Sequence, residues 1–370
     1  MNNRLAEKPP SIQGLTYIRL IGSGGFADVY LYEQDFPKRR VAVKVLRQKI
    51  VEKDVRAAFV RETDVMAQMA THPSILTIYQ AGVSADGRAY LISELCEPVP
   101  ARTWRQDPLS VERVLEIGVN LASALETLHR NNRIHRDIKP SNILSTQYGH
   151  TVLADFGVAS MIQNDSDSEE QAISVPWSAP EVVALRTPGS VASEIWSLGA
   201  TLYSLLSGRS PFETTDGTSN STEALKKRIM KAIIPPIGVA GVPQLVESVL
   251  FHAMAKDPAD RFGSMQEFAM ALNEVQMAIG MRSTPLNFPI STSGKFESVD
   301  SDNTDPLEVV YIETDKKRPK KKTRDVVFKT NEKVEVRSRL KDISPVNLIL
   351  GAAAILGFAV ALVFFLVVGA

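Results

Sequence analysis

The chain of 370 residues contains a single cysteine, Cys96, so an intrachain disulfide is impossible. Such sparse use of cysteine is typical of a reducing compartment. The chain also lacks an excess of charge, because 42 lysines and arginines balance 42 aspartates and glutamates. A basic field over the whole protein, of the kind that attracts nucleic acid, is therefore excluded. The length predicts about two domains, or one large domain with appendages.

The first 14 residues contain no apolar run, so the sequence predicts no secretory signal peptide. The other end differs, because residues 348–368 form an uncharged run, LILGAAAILGFAVALVFFLVV. As a helix this run would extend about 31 Å, the thickness of the hydrocarbon core of a bilayer. We expect a transmembrane helix over 346–368. A buried core helix is the alternative, and the small residues of the run leave a homodimer open.

The segment at 279–345 is rich in Ser, Thr, Pro, Asp and Asn, and we expect a disordered, charged juxtamembrane linker. Its basic part, KKRPKKKTR at 316–324, has seven basic residues in nine. The positive-inside rule then predicts a single-pass membrane protein with a C-terminal anchor and a cytoplasmic N-terminal part. The basic cluster could bind anionic lipids, or it could be a solvated segment that only sets the topology.

Residues 14–278 have dense apolar periodicity and are predicted to form one large domain. Short stretches with strand-like alternation dominate its first part, and helical spacing dominates beyond Glu97. The run SVERVLEIGVNLASALETLHRNN predicts an amphipathic helix with Ser110 as its N-cap. The expected architecture is a strand-rich first lobe that joins a helix-rich second lobe near residues 94–98.

A glycine-rich turn, GSGGFADVY at 22–30, lies between two predicted strands. Glycines allow backbone N–H groups to approach phosphate oxygens, although a tight hairpin would also favour them. No helix is predicted directly after the turn, so it is not a dinucleotide-binding fingerprint. The next predicted strand, RVAVKVL, contains Lys44, whose charge needs an anionic partner unless the residue lies on an exposed edge. Glu62 is the candidate partner.

A second motif combines the residue types that phosphoryl transfer needs. HRDIKPSN at 135–142 places Asp137, Lys139 and Asn142 in one short stretch. An aspartate can orient a hydroxyl group, a lysine can neutralise phosphate charge, and an asparagine can bind a metal ion. The stretch therefore indicates transfer of a phosphoryl group to a hydroxyl.

DFG at 155–157 supplies Asp155 as a further oxygen ligand for Mg²⁺, and APE follows at 179–181. In order and spacing, the motifs resemble those of the eukaryotic-type, or Hanks-type, Ser/Thr protein kinases. The expected architecture of one kinase domain, a linker and one span resembles the bacterial membrane-anchored form of that family. The resemblance covers residues 14–278 and implies an α+β bilobal fold, with a β-rich N-lobe and an α-rich C-lobe. The uncharged run near the C-terminus adds one expected transmembrane helix. The resemblance also implies transfer of the γ-phosphoryl group of ATP to Ser and Thr hydroxyls of protein substrates, with Mg²⁺ or alternatively Mn²⁺.

The resemblance also assigns roles to single residues. Lys44 would hold the α- and β-phosphates and pair with Glu62, and Asp137 would accept or orient the proton of the substrate hydroxyl. Lys139 would stabilise the transferred group, and a lysine at this place is typical of Ser/Thr kinases. Two sets remain: the metal ligands Asn142 and Asp155, and the residues around ATP, namely Ile21, Gly22, Gly24, Val29, Ala42, Lys44, Glu94, Cys96 and Leu144.

The adenine base of ATP would bind backbone groups of the segment between the lobes, near Glu94 and Cys96. Ser93 falls where the family places the residue that guards the rear of the ATP pocket. Because serine is small, we expect an accessible rear cavity. Cys96 itself is interpreted as an ordinary half-buried thiol.

The chain departs from the family pattern at a few positions. Ala27 replaces the third glycine of the phosphate loop, which would stiffen the loop or change the affinity for ATP. Glu194 replaces an Asp that accepts backbone N–H groups of the catalytic loop, and its additional methylene is expected to alter that loop slightly. Ser174 keeps the hydroxyl that bonds the catalytic aspartate. Glu181 is expected to form the family's structural ion pair with Arg261.

The segment 160–174 is acidic and contains Ser166 and Ser168. We expect autophosphorylation at one of these serines to order the segment through Arg136; alternatively, the acidic residues already mimic phosphate in part. Two other function classes stay open beside an active protein kinase. They are a pseudokinase that binds nucleotide but transfers little, and a kinase of small molecules.

Overall fold

The computed structural model describes residues 7–25, 27–49, 57, 59–60, 63–64, 66, 69–98, 104–155 and 174–288. The first lobe contains five strands: β1 (Leu15–Ser23), β2 (Ala27–Gln34), β3 (Arg39–Lys49), β4 (Ile78–Val83) and β5 (Arg88–Glu94). They form one antiparallel sheet in the order β1-β2-β3-β5-β4. The strand-rich first lobe expected from the sequence is therefore present.

Alternation along β3 explains how the sheet is covered on both faces. Val41, Val43 and Val45 point to one face and are at most 1% exposed. They pack with tyrosines of β2 and with Ile12 of the preceding segment. Leu46 points to the opposite face and joins the main core of the molecule. A period of two in the sequence thus separates two apolar layers, as a strand requires.

The second lobe is helical. Its helices are α1 (Val111–Arg130), α2 (Pro180–Val183), α3 (Val191–Ser207), α4 (Thr222–Lys231), α5 (Gln244–Ala253) and α6 (Met265–Ala278). The predicted cap of α1 is confirmed, because the Ser110 side chain accepts a hydrogen bond from the Arg113 backbone N–H. At Gly118, a Cβ atom would lie 2.8 Å from a methyl group of Leu202, so glycine allows α1 and α3 to approach closely.

A small sheet lies where the two lobes meet. Its strands are β6 (Glu97–Pro98), β7 (Ile143–Ser145) and β8 (Thr151–Leu153), in that order. Two backbone hydrogen bonds connect β8 to the segment before β4: Leu76 donates to Leu153, and Leu153 donates to Ser74. β7 begins directly after the catalytic-loop motif, and Asp155 lies two residues beyond the end of β8, so the small sheet positions both relative to the first lobe.

The chain continues in a packed form past α6, where the sequence places the start of the linker. The Thr284 backbone N–H donates to the side chains of Asn273 and Gln276 on α6. The Asn287 carbonyl lies 2.9 Å from Nε2 of His72 in the first lobe. Residues 281–288 thus belong to the folded unit. The rest of the expected linker and the expected span at 346–368 lie outside the described residues.

Over the part of the chain that the structure describes, none of the helices combines the length and the apolar character needed to cross a bilayer.

Candidate active site

The carboxylate of Asp137 lies at the centre of a compact group of polar side chains. Ser174 Oγ donates to Oδ1 at 2.6 Å, and Lys139 Nζ lies 2.7 Å from Oδ2. Asn142 Nδ2 donates to Oδ2 at 3.0 Å and to the Asp137 carbonyl at 2.8 Å. Lys139 Nζ also donates to Ser174 Oγ at 3.0 Å. The structure thus brings together three residues that the sequence predicted for the site, and Ser174 bridges two of them, Asp137 and Lys139.

Charge and hydrogen bonds keep Asp137 ionised. Burial acts to raise the pKa of its carboxyl group. The positive charge of Lys139, together with hydrogen bonds from Lys139, Ser174 and Asn142, outweighs burial and lowers the pKa below its ordinary value. At neutral pH the carboxylate is therefore available to accept a proton or a hydrogen bond.

Glu194 of α3 holds the backbone of the catalytic loop. Its Oε1 accepts the Arg136 backbone N–H at 2.6 Å, and its Oε2 lies 2.7 Å from His129 Nε2 at the end of α1. Arg136 has a φ of 69°, an unusual value for a non-glycine residue that this contact helps to maintain. The acceptor role of Glu194 agrees with the expectation from the sequence, whereas the contact with His129 was not predicted. The only sequence signal for His129 was its place in the last turn of the predicted helix.

A buried histidine joins the catalytic loop to the DFG segment. His135 Nε2 lies 2.9 Å from the carbonyl of Ala154, and its Nδ1 accepts the backbone N–H of Asp137 at 3.2 Å. His135 is 1% exposed, so the contact is protected from water. His135 belongs to the HRDIKPSN motif, but the sequence alone assigns it no role. This ring fixes the backbone on which Asp137 and Asp155 are placed.

Lys44 and Asp155 form an ion pair between the lobes, with Nζ 2.6 Å from Oδ1. Lys44 lies on β3, opposite Val29 of β2 and Leu91 of β5. The sequence predicted Glu62 as the partner of Lys44, but Glu62 lies outside the described residues. The pair places the predicted phosphate-binding lysine beside a predicted metal ligand.

The strand register shows where the residues expected around ATP lie. Gly22 is opposite Val29 across β1 and β2, Ala42 is opposite Ser93 across β3 and β5, and Leu144 is opposite Pro98 in the small sheet. Ile21 lies on β1, and Gly24 is the first residue after that strand. Glu94 is the last residue of β5, and Cys96 lies two residues beyond it. These positions border the region between the sheet and the second lobe. The structure contains no nucleotide, so their contacts with ATP stay a prediction.

Ala27 closes the glycine-rich turn from its far side. Its carbonyl accepts the Gly24 backbone N–H at 2.9 Å, and the residue starts β2 opposite Leu46. Ala27 is 8% exposed and belongs to the main core. The Ala27 methyl group, where the family has glycine, is therefore packed in the main core, and the Ala27 carbonyl closes the turn.

The segment between the lobes contains a small residue and a shielded thiol. Ser93 is buried, and its hydroxyl donates to the carbonyl of Glu94 at 3.3 Å. Burial and the nearby Glu94 carboxylate raise the pKa of the half-buried Cys96 thiol to about 12. This agrees with an ordinary thiol at Cys96. The rear cavity expected behind Ser93 stays a prediction.

The donor set fits a divalent metal ion of the hard type. Asn142 uses its Nδ2 for Asp137, which leaves its Oδ1 as an oxygen ligand. The Lys44 ammonium contacts Oδ1 of Asp155, and the second oxygen of this carboxylate, Oδ2, would be the metal ligand. No group of three or more His, Cys, Asp or Glu residues in the described ranges could hold a metal. Mg²⁺ does not need one, because it binds one or two protein oxygens together with substrate phosphates.

The expected ion pair between Glu181 and Arg261 is confirmed. Arg261 donates to the two oxygens of Glu181 at 2.7 and 2.8 Å, in a bidentate arrangement. It also donates to the carbonyls of Ala192 and Ala255. Glu181 is on α2 and Ala192 is at the start of α3, so Arg261, which lies just before α6, connects these two helices. The serines expected to be phosphorylated, Ser166 and Ser168, lie outside the described residues.

Comparison with known proteins agrees with this geometry. The family model for the protein kinase domain matches residues 15–272, which is more than half of the chain. The chain belongs to the protein kinase family. Within it, the relatives are bacterial Ser/Thr protein kinases of the Hanks type. The domain is accordingly an ATP-dependent Ser/Thr protein kinase domain.

Three relatives illustrate the similarity. Serine/threonine-protein kinase PknK of Mycobacterium tuberculosis is 36% identical over 280 residues, covering 75% of this kinase and 25% of the relative. Serine/threonine-protein kinase PrkC of Bacillus subtilis is 34% identical over 260 residues, covering 68% and 38%. A probable serine/threonine-protein kinase PknB of Lactococcus lactis is 34% identical over 258 residues, covering 68% and 40%. The kinase thus spans less than half the length of each relative.

Proposed function

We propose that the chain is an active, membrane-anchored Ser/Thr protein kinase that uses Mg²⁺ and ATP. The observation that carries the proposal is the environment of Asp137. Its ionised carboxylate is held by Lys139, Ser174 and Asn142, and Lys44 forms an ion pair with the predicted metal ligand Asp155. Phosphoryl transfer needs a proton acceptor, cations and oxygen ligands for a metal ion. Asp137 is the acceptor, Lys44 and Lys139 are the cations, and Asn142 and Asp155 supply the oxygen ligands.

In the proposed reaction, a Ser or Thr hydroxyl oxygen of the substrate protein attacks the γ-phosphorus of ATP. The new oxygen–phosphorus bond forms while the bond between the γ-phosphorus and the bridging oxygen of ADP breaks, and the hydroxyl proton passes to Asp137. Lys139 lies 2.7 Å from the Asp137 carboxylate, so its charge can neutralise the group in transfer. Lys44 would orient the α- and β-phosphates. A bound Mg²⁺ would supply charge neutralisation at the phosphates, held by Asn142 and Asp155.

Intact mass spectrometry of the purified full chain with Mg²⁺ and ATP tests the activity. We expect mass to be added in steps of one phosphate, and the Asp137→Asn variant to gain none. The same experiment with Mn²⁺ in place of Mg²⁺ shows which ion is used. No added mass, with ATP still raising the melting temperature, would instead support a pseudokinase that binds nucleotide.

Autophosphorylation at Ser166 or Ser168 is a second part of the proposal. The acidic segment around them would then be ordered by contacts of the new phosphate with Arg136, which lies directly before Asp137. Peptide mapping of the phosphorylated chain should find phosphate at one of these serines. The Ser166→Ala, Ser168→Ala double variant should lose activity toward a protein substrate, and full activity would reject the switch.

Membrane anchoring by residues 346–368 is the third part, and it is supported by the uncharged run and the basic cluster before it. We expect the full chain to float with liposomes and to resist extraction by alkaline carbonate. A variant that lacks residues 346–370 should stay in the soluble fraction. Equal behaviour of the two chains would reject the anchor. Flotation that depends on anionic lipids would show a contribution of the cluster at 316–324.

A further inference from the structure

The carboxylate of Asp28 is buried beside the glycine-rich turn and holds three different parts of the first lobe together. The residue lies near the start of β2 and is only 1% exposed. Its Oδ1 accepts the Ser23 hydroxyl at 2.7 Å and the Arg47 guanidinium at 2.7 Å. Its Oδ2 accepts the Glu7 backbone N–H at 3.2 Å. One carboxylate thus contacts the end of β1, the strand β3 and the segment before β1.

The segment at 7–12 explains why Asp28 is buried. Tyr30 donates its hydroxyl to the Glu7 carbonyl at 2.7 Å, and Tyr32 donates to the Pro10 carbonyl at 2.6 Å. Arg88 of β5 binds the Glu7 carboxylate at 2.9 Å. The segment therefore lies across β2 and β5 and covers the outer face of the sheet, where Ile12 joins the tyrosine and valine cluster.

Asp28 and Ser23 lie at the two ends of the glycine-rich turn. They are directly opposite each other in the register of β1 and β2. Between them, the turn is closed by the hydrogen bond from the Gly24 backbone N–H to the Ala27 carbonyl. Arg47 donates to Ser23 Oγ at 2.9 Å as well as to Asp28, so the three side chains form a closed triangle. This triangle fixes both strands at the point from which the turn extends.

The ionised form of the Asp28 carboxyl group is favoured by its surroundings. Burial acts to raise the pKa of Asp28, but hydrogen bonds from Arg47, Ser23 and the Glu7 backbone lower it below its ordinary value. The carboxylate is therefore charged at neutral pH and forms strong, charge-assisted hydrogen bonds.

We propose that Asp28 is a positioning residue for the phosphates of ATP: by holding Ser23 and Arg47 it fixes the glycine-rich turn in the shape that binds them. The inference rests on the proposed kinase activity. It does not require Asp28 to touch ATP. A turn whose backbone N–H groups are held in place binds phosphate better than one that must be ordered on binding, because the ordering cost is removed.

The test compares Asp28→Asn and Ser23→Ala with Glu33→Gln in the full chain. Glu33 is on the same strand, and its exposed pair with Lys38 lies away from the turn. Steady-state kinetics give kcat and the KM values for ATP and for a protein substrate. Titration with Mg²⁺ and ADP, followed by fluorescence or calorimetry, gives nucleotide affinity without any transfer. This second readout separates a failure of the inference from a failure of the proposed activity.

We expect Asp28→Asn to raise the KM for ATP and the Kd for ADP by roughly tenfold, the order expected for a weakened charged hydrogen bond. Ser23→Ala should act in the same direction and by less. For both variants kcat and the KM for the protein substrate should stay within about twofold, and Glu33→Gln should match the unaltered kinase. Asp28→Asn with a lower melting temperature but unchanged nucleotide affinity would overturn the proposal. If Asp28→Asn fails to fold, the nucleotide affinity of Ser23→Ala tests the proposal. Ser23 is exposed, so the protein should fold without its hydroxyl.

Discussion

The carboxylate of Glu194 accepts the backbone N–H of Arg136 in a hydrogen bond of 2.6 Å. Its second oxygen lies 2.7 Å from His129 Nε2, so one side chain joins the end of α1, the start of α3 and the catalytic loop. Glu194 is 2% exposed, and both contacts are protected from water. The longer side chain, where the family has Asp, is used here to reach two partners at once.

The Glu194→Asp variant tests this arrangement. A shorter side chain cannot hold both Arg136 and His129, and a buried backbone N–H left without an acceptor costs about 1–3 kcal/mol. We expect kcat to fall by about tenfold or more, with nucleotide affinity little changed because the sheet is untouched. Glu116→Gln, which removes a partly exposed pair with Arg113 on α1, serves as the control and should keep full activity. Full kcat in Glu194→Asp would contradict the interpretation.

Ser174 connects the catalytic aspartate to Lys139. Its hydroxyl donates to Asp137 and accepts from the Lys139 ammonium, so the Ser174→Ala variant loses both contacts. We expect kcat to decrease by about tenfold, since one net hydrogen bond to a charged group contributes roughly 1.5–3 kcal/mol. Ser174→Thr keeps the hydroxyl and should recover most of the rate. If alanine and threonine give equal rates, the hydroxyl has no role in positioning Asp137.

Arg261 is the anchor of a buried ion pair, with a side chain that is 0% exposed. Removal of Glu181 leaves this charge without its partner, which is expected to lower the free energy of unfolding by about 3–5 kcal/mol. Lys38→Ala breaks an exposed pair with Glu33 and should cost at most about 1 kcal/mol. Urea unfolding, followed by tryptophan fluorescence, compares Glu181→Ala with Lys38→Ala. Similar losses in the two variants would mean that burial of the pair adds nothing.

The sequence predicted the parts of this kinase that depend on local pattern. Alternation identified β3, helical spacing and Ser110 identified α1, and the ordered motifs identified Asp137 with its neighbours. The Asp-Gly pair at 86–87 is itself a turn signal, and Gly87 has the positive φ that such a turn requires.

Contacts between distant segments could not be predicted in the same way. His129 meets Glu194 only because α1 and α3 pack closely, which a single helix pattern does not reveal. The segment at 7–12 has neither strand nor helix periodicity, and its place over the sheet depends on the hydroxyls of Tyr30 and Tyr32. Tertiary partners of this kind follow from packing and hydrogen bonding, not from propensity.

Ser93 leads to a prediction about inhibitors. It is the small residue opposite Ala42 in the register of β3 and β5, near the expected adenine site. An ATP-competitive inhibitor with a bulky group directed past this position should bind the kinase tightly. The Ser93→Phe variant should weaken that inhibitor strongly while the KM for ATP changes little. Equal inhibitor affinity for both proteins would show that no space lies behind Ser93.

Cys96 should be a poor nucleophile in the folded kinase. Its pKa is raised to about 12 by burial and by the Glu94 carboxylate, whereas a free cysteine has a pKa near 8.5. The raised value means that the neutral thiol dominates at pH 8, and only the thiolate attacks alkylating reagents.

Because the chain has one cysteine, iodoacetamide labelling can be followed by intact mass without ambiguity. We expect labelling at pH 8 to be at least about a hundredfold slower in the folded kinase than after denaturation in urea. The Glu94→Gln variant should label faster than the unaltered kinase, since the nearby negative charge is removed. Labelling of the folded kinase at the rate of the unfolded chain would show that the thiol is neither shielded nor held in its neutral form.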